Sequence, residues 1–201
     1  MTDVPSLTTE RLLLRAFTDA DAPAFAAMNA DPEVMRWMSR SLDRAGSDLF
    51  LARIAAHWAA DGFGLWAIER HEDGAFLGFA GLAEPAFDAP FLPALEVGWR
   101  LARDAWGHGY ATEAGAAALR FGFETLGRAE IVSFTAVGNE RSRRVMERLG
   151  MTGDAADDFE YPLVPPGHPV RGQVLYRLSR AEWATRAAAS PGSASGHRPG
   201  R

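Results

Sequence analysis

Three strand-like runs follow one another between Leu65 and Ala102, and after them helix and strand alternate. That order argues for a mixed sheet rather than a purely parallel one. The runs are Leu65–Arg70 and Phe76–Ala83, joined by the turn signal His71-Glu72-Asp73-Gly74, and then Leu95–Ala102. Ahead of them, Arg11–Phe17 reads as a strand, and Thr18–Asp21 offers caps for a helix through Asn29. A second helix spans Leu42 to Ala60, with Leu49, Ile54 and Trp58 on its apolar face, and Gly62 and Gly64 end it. Beyond, Tyr110–Leu126 is helical, Ile131–Val137 is a strand, Asn139–Leu149 is a helix closed by Gly150, and Val174–Leu178 is a late strand.

A chain of 201 residues fits one domain, and we place it at residues 1–185. The last dozen residues, SPGSASGHRPGR, hold no apolar side chain larger than Ala, so 186–201 is expected to be a disordered tail. The absence of cysteine excludes disulfides, thiolate catalysis and cysteine-ligated metals, and it suits a reducing cytoplasm. The histidines have no metal-ligand spacing, so no metal is expected. A net charge of -5 gives no reason to expect nucleic acid. No apolar run approaches the ~20 residues that span a bilayer, and the start, MTDVPSLTTERL, lacks the pattern of a signal peptide. The expectation is a soluble cytoplasmic protein without a membrane partner.

The sharpest local feature is Trp106-Gly107-His108-Gly109-Tyr110-Ala111-Thr112-Glu113-Ala114, after a strand and at the start of a helix. The glycines let the backbone approach a ligand closely, and the first helical amides have no internal partner. Together with the helix dipole this makes an anion site suited to a pyrophosphate, to which Thr112 adds a hydroxyl donor. An ordinary strand–helix turn with two glycines is the plain alternative. The spacing matches neither a P-loop nor a complete dinucleotide fingerprint. In the second segment, Asn139-Glu140-Arg141-Ser142 through Leu149-Gly150-Met151, the residues Asn139, Ser142, Met146 and Leu149 share a helical face. Its polar end lies just beyond a strand, where ligands of α/β sheets sit. Asn139 as a mere N-cap and Ser142 as a first-turn residue is the plain alternative.

Together these segments resemble the GNAT superfamily of acyl-CoA-dependent N-acetyltransferases, and within it the branch of ribosomal-protein N-terminal acetyltransferases. Thr9-Glu10-Arg11-Leu12-Leu13-Leu14-Arg15 and Leu95-Glu96-Val97-Gly98-Trp99 match as well, in order and spacing, so the similarity covers about Leu7 to Trp183. Trp106 stands where the family's phosphate loop commonly has Arg or Gln, while Gly109 and Ala111 match. The resemblance implies an α+β fold: a central mixed, mostly antiparallel sheet of about six or seven strands, splayed between the fourth and fifth, with about four flanking helices. It implies acetyl-CoA as cosubstrate, held by Trp99, Leu101, Trp106, Gly107, His108, Gly109, Tyr110, Ala111, Thr112, Asn139 and Ser142. A strand amide near Trp99 or Leu101 would hold the developing oxyanion. The acceptor, a protein N-terminus or a small-molecule amine, would attack directly in a ternary complex.

Many members carry a tyrosine as general acid where this chain has Met146, which cannot donate a proton. Ser142, the next hydroxyl on that face, is the candidate for protonating the thiolate, or else a cofactor ligand only. Glu96 is the candidate base, or else it positions substrate; as a base its loss is expected to cost most at low pH. The loop DDFEYPLVPPGHPV, with Asp157, Asp158, Glu160 and His168, either walls the acceptor site, as the resemblance implies, with an acidic rim that attracts a cationic amine, or is a solvated loop. A catalytically degenerate acyl-CoA-binding sensor or scaffold is the alternative function. A homodimer is possible through a strand near Val174.

Overall fold

The computed structural model describes residues 4–189. The chain runs through β1 (Leu7–Thr8), β2 (Leu12–Arg15), α1 (Ala22–Ala30), α2 (Arg44–Asp61), β3 (Leu65–Arg70), β4 (Phe76–Ala83) and β5 (Glu96–Leu101). It continues through α3 (Tyr110–Arg120), β6 (Glu130–Ala136), α4 (Glu140–Leu149), β7 (Thr152–Gly153), β8 (Phe159–Glu160), β9 (Gly172–Ser179) and α5 (Arg180–Ala189). Among the described residues one nine-stranded sheet forms in the order β1-β2-β3-β4-β5-β6-β9-β7, with β8 also on β9. Of the adjacent pairs only β5 and β6 run parallel. This is the expected mixed, mostly antiparallel sheet. The strands beyond the expected six or seven are β1, β7 and β8, each of two residues, too short to show a period of two.

A fifth helix, α5, was not expected either. Its one large apolar residue, Trp183, stacks on Phe123, and a single anchor makes no stripe to read. Positions 186–189, placed in the tail by sequence, are its last turn; the rest of the expected tail, from residue 190, lies outside the described residues.

Two aromatic layers hold the sheet between helices. Phe25 of α1 is wholly buried among Phe17, Phe50, Phe76 and Phe79, with ring centroids 5.4–6.5 Å apart. Strand alternation puts Ala80 on the opposite face, paired with Trp66 and Trp99. There Trp66 meets Phe121 after α3, and Trp99 lies against Gly115 within it. The start of α1 is fixed by charge: Arg15 of β2 holds both oxygens of buried Asp21, at 2.7 and 2.8 Å, and reaches Glu69 at 2.6 Å.

The sheet is two well-paired halves joined weakly. β4 and β5 share six register pairs, β6 and β9 seven, but β5 and β6 only one, Glu96 with Val132. These two are the fourth and fifth strands read from the sequence, and they part where the splay was expected. Among the described residues the strand around Val174, β9, is paired to β6 along one side; on the other, β7 takes Tyr176 and Arg177 and β8 takes Gly172 and Gln173, and Val174 and Leu175 between them have no strand partner there.

Phe25→Ala should cost about 3–5 kcal/mol and lower Tm by roughly 10 °C. Thermal and denaturant melts check this; a loss under about 1 kcal/mol would mean that the aromatic layer can collapse around the gap.

Candidate functional site

Backbone geometry in β5 decides what faces the gap. The Val132 amide donates to the Leu95 carbonyl at 2.9 Å, so Leu95 turns its backbone groups toward β6. Ala102, which turns the other way, donates to Leu77 of β4. Alternation therefore points the amides and carbonyls of Trp99 and Leu101 into the gap, where no register pair of β6 takes them up. Trp106 claims one of them: its indole N–H donates to the Leu101 carbonyl at 3.0 Å, and the Arg141 guanidinium covers its ring at 4.5 Å. The tryptophan in the family's Arg/Gln position thus braces the end of β5 against the start of α4.

The glycine loop behaves as its spacing requires. Gly107 and Gly109 sit at φ +83° and +82°, where a side chain is strained. Gly109 caps α3 without any side-chain acceptor, whereas α2 and α4 are capped by Asp43 and Asn139. The first amides of α3 thus keep their capacity for an external anion. One turn in, the Thr112 hydroxyl is the buried side-chain polar atom among the described residues that lacks a partner. An uncapped helix start and an orphaned hydroxyl fit a phosphate-bearing cosubstrate.

The turn between β1 and β2 braces this loop. Arg11 donates from its backbone amide and Nε to the Glu113 carboxylate at 2.8 and 2.7 Å, and from Nη1 to the His108 carbonyl at 2.9 Å. Thr9 donates to the same carboxylate at 2.7 Å, and the Arg11 guanidinium stacks on the Tyr110 ring at 4.8 Å. Tyr110 is buried and His108 stacks on it, so both side chains shape the loop from behind. Charge-assisted bonds from Arg11 and the Thr9 hydroxyl hold Glu113 below the usual carboxylate range despite its burial.

Between β5 and β6 opens a cavity of about 490 Å³. Glu96, Trp99, Asn139 and Ser142 line it; Leu101 and the 106–112 loop lie outside its wall. Asn139 caps α4, accepting from the Ser142 amide at 3.4 Å while donating to Thr135 at 2.9 Å. Both ends of its side chain are thereby engaged. Within the described residues nothing bonds the Ser142 hydroxyl, which borders the cavity. Met146 is wholly buried in the core below. Glu96 and Gly98 share the cavity face as alternation demands, and the missing side chain at Gly98 leaves room before the carboxyl. Burial, with no hydrogen bond to offset it, pushes the Glu96 carboxyl from its ordinary 4.5 up to about 8.

Sequence reading missed Arg100, Tyr161 and the β6 hydroxyls Ser133 and Thr135, all of them on the wall. Polar residues inside the apolar run IVSFTAV were the signal for the last two. The loop 154–171 does wall the cavity, but through Tyr161 and Val170. The acidic rim does not form. Asp157 is bound to Arg177 at 2.7 Å and Glu160 to Arg171 at 2.9 Å, and neither lines the cavity. A second hollow, of about 590 Å³, is framed by residues 84–94 alone, and Glu84 on its wall is tied to Arg128.

Because Arg11 touches only the loop's frame, Arg11→Met should weaken coenzyme A binding about tenfold while leaving kcat at saturation within about twofold. Titration calorimetry and initial rates separate the two; unchanged affinity would show that the loop holds its shape unaided.

Comparison with known proteins agrees with this geometry. The model of the Acetyltransferase (GNAT) domain family matches residues 11–152. FsC-acetyl coenzyme A-N(2)-transacetylase of Aspergillus fumigatus is 30% identical over 186 residues, covering 89% of this chain and 78% of that protein. The crystal structure of an acetyltransferase from Agrobacterium tumefaciens superposes with a TM-score of 0.70 at 32% identity, over 89% of this chain and 96% of that one. Spermidine N-acetyltransferase from Vibrio cholerae, solved with CoA and spermine, shares the fold with a TM-score of 0.69 at 16% identity, over 88% of this chain and 99% of that one. The parted strands, the uncapped helix behind a glycine loop and the match over residues 11–152 together place the chain in the GNAT family of acetyl-CoA-dependent N-acetyltransferases.

Proposed function

We propose that this enzyme acetylates a primary amine, a protein N-terminal α-amine or a small molecule, by direct attack in a ternary complex. The observation that carries the reading is the parting of β5 from β6 after a single pair, which presents strand amides to one cavity shared by Glu96 and Ser142. The thioester of acetyl-CoA supplies the activated acyl group. The uncapped amides of α3, the loop 106–112 and Thr112 take its pyrophosphate. The Trp99 or Leu101 amide holds the carbonyl oxygen as negative charge develops on it. Glu96 takes a proton from the acceptor's ammonium, directly or through water, and so frees the amine to attack the thioester carbonyl. As the new N–C bond forms and the C–S bond breaks, the nitrogen sheds its second proton, and the Ser142 hydroxyl takes that proton up as it passes its own to the departing sulfur, ending as a neutral hydroxyl. The relative named for transfer to an N(2) nitrogen supports an amine acceptor. Without cysteine no thiol can carry the acyl group, which supports direct attack.

The raised Glu96 value reverses the pH dependence expected from an ordinary carboxylate. With a value of about 8, only roughly a tenth of Glu96 is ionised at pH 7, and the base becomes available as pH rises. With an acceptor whose amine titrates at about 10.4, the parent's kcat/KM should climb to a plateau near pH 8, an inflection that Glu96→Gln should lack, so the parent-to-variant ratio should change through that region. A ratio independent of pH would remove Glu96 as base.

The same group sets a stability signature. Its folded value lies above its unfolded one, so its contribution is complete below about 4.5 and is lost as pH rises to about 8. Glu96→Gln should melt higher than the parent at pH 9 and equally at pH 4, and the reverse order would contradict a buried carboxyl. For Ser142→Ala we expect kcat to fall about tenfold or more with the KM for acetyl-CoA nearly unchanged. Turnover within about threefold of the parent would leave Ser142 as a helix residue only.

A further inference from the structure

Among the described residues Arg100 is a cation without a counter-ion, and it stands in the wall of the cavity beside Glu96. It follows Glu96 and Gly98 on the same face of β5. Its Nη1 donates to the Asn29 side-chain oxygen at 2.7 Å, and its Nη2 meets the Met38 sulfur at 3.3 Å, a weak acceptor. Below and beside it lie the Phe79 and Phe50 rings, 5.2 and 5.8 Å from the guanidinium carbon. Among the described residues no carboxylate pairs with it. A guanidinium carries five N–H donors in a rigid fork, so those two contacts leave most of the fork unused.

The rings attract the guanidinium, but desolvation with one amide oxygen as its good acceptor leaves its fork short of partners, and burial pulls its pKa down to about 10. A guanidinium in that state favours an anionic oxygen pair that fits the fork. The rest of the wall agrees. Of the charged side chains lining the cavity, two are arginines, Arg40 and Arg100, and one is a carboxyl, Glu96, largely protonated at neutral pH. Such a wall repels a polycation and attracts an anion, although the chain as a whole carries a net charge of -5. Phe134 and Tyr161 also line the cavity, as part of a cluster with Phe87, Phe91 and Phe159, so its wall has an aromatic side as well as a cationic one.

We propose that Arg100 seats a carboxylate of the acceptor, so that the substrate is an amine bearing its own carboxylate, of the amino-acid class, rather than a polyamine. The inference rests on the acetyltransferase reading of the same cavity. Arg100 is then a specificity residue: it holds one end of the acceptor while Glu96 meets the amine at the other.

The test compares matched pairs by titration calorimetry on the full chain: glycine with glycinamide, β-alanine with its amide, 4-aminobutyrate with its amide, and phenylalanine with its amide. Each amide keeps the amine and the length and lacks only the charge. Titrations are run with and without saturating CoA. We expect at least one acid to bind about tenfold tighter than its amide, and Arg100→Met to bring that ratio to within about twofold. Arg100→Lys, which keeps the charge and loses the fork, should fall between and serves if the Met variant does not fold. The proposal is overturned if no acid outbinds its amide in the parent, or if the preference survives in the variants. CoA binding is read in the same experiment. Its absence would count against the acetyltransferase reading, whereas CoA binding without acid preference would count against the Arg100 seat alone.

Discussion

One backbone pair, Glu96 with Val132, joins β5 to β6, and the parallel ladder stops there. Each strand is committed elsewhere: β5 to β4 along its whole length, β6 to β9 along its own. Two rigid antiparallel half-sheets meeting at a point must diverge as each follows its own twist. The divergence leaves the Trp99 and Leu101 backbone groups facing a gap, and buried backbone polar groups do not stay unpaired without cost. The fold answers that cost in part with Trp106, whose indole takes the Leu101 carbonyl. The groups that remain are the natural partners of an extended ligand lying in the gap as an extra strand.

Everything chemical is arranged around that opening. α3 starts at one end of it, uncapped, with its glycine loop braced from behind by Arg11 through Glu113 and the His108 carbonyl. α4 starts beside it, with Asn139 spent on the cap and on Thr135, and with the Ser142 hydroxyl free for other work. Glu96 stands at the one shared pair, facing the cavity, and the desolvation it meets there raises its carboxyl to about 8. In the proposed role as base, a group with that affinity for protons suits amine chemistry near neutral pH better than an exposed glutamate would.

The cavity's charge was not legible in the chain. The loop DDFEYPLVPPGHPV reads as acidic, yet Arg171 and Arg177 absorb Glu160 and Asp157, and the loop presents Tyr161 and Val170 to the site instead. Arg100 reads as one more strand arginine. It becomes distinctive only because Asn29, Met38, Phe50 and Phe79, distant in sequence, close around it. Met146 shows the opposite case: its inability to serve as an acid follows from its chemistry alone, and its burial in the core adds the reason it is tolerated there.

Local rules were enough for the long strands, the helices with capping and glycine signals, the mixed sheet, and the glycine turn at α3, because each depends on residues a few positions apart. The splay and the membership of Trp99, Asn139 and Ser142 in one site came from family resemblance rather than from pattern. Only the tertiary structure decided which carboxylates are spent in ion pairs, which edge strands gain partners, how far Glu96 is desolvated, and that among the described residues Arg100 stands in the cavity wall without a carboxylate partner. Those properties depend on which side chains from remote segments surround a group, and burial and pairing are sums over neighbours that the order of residues along a chain does not contain.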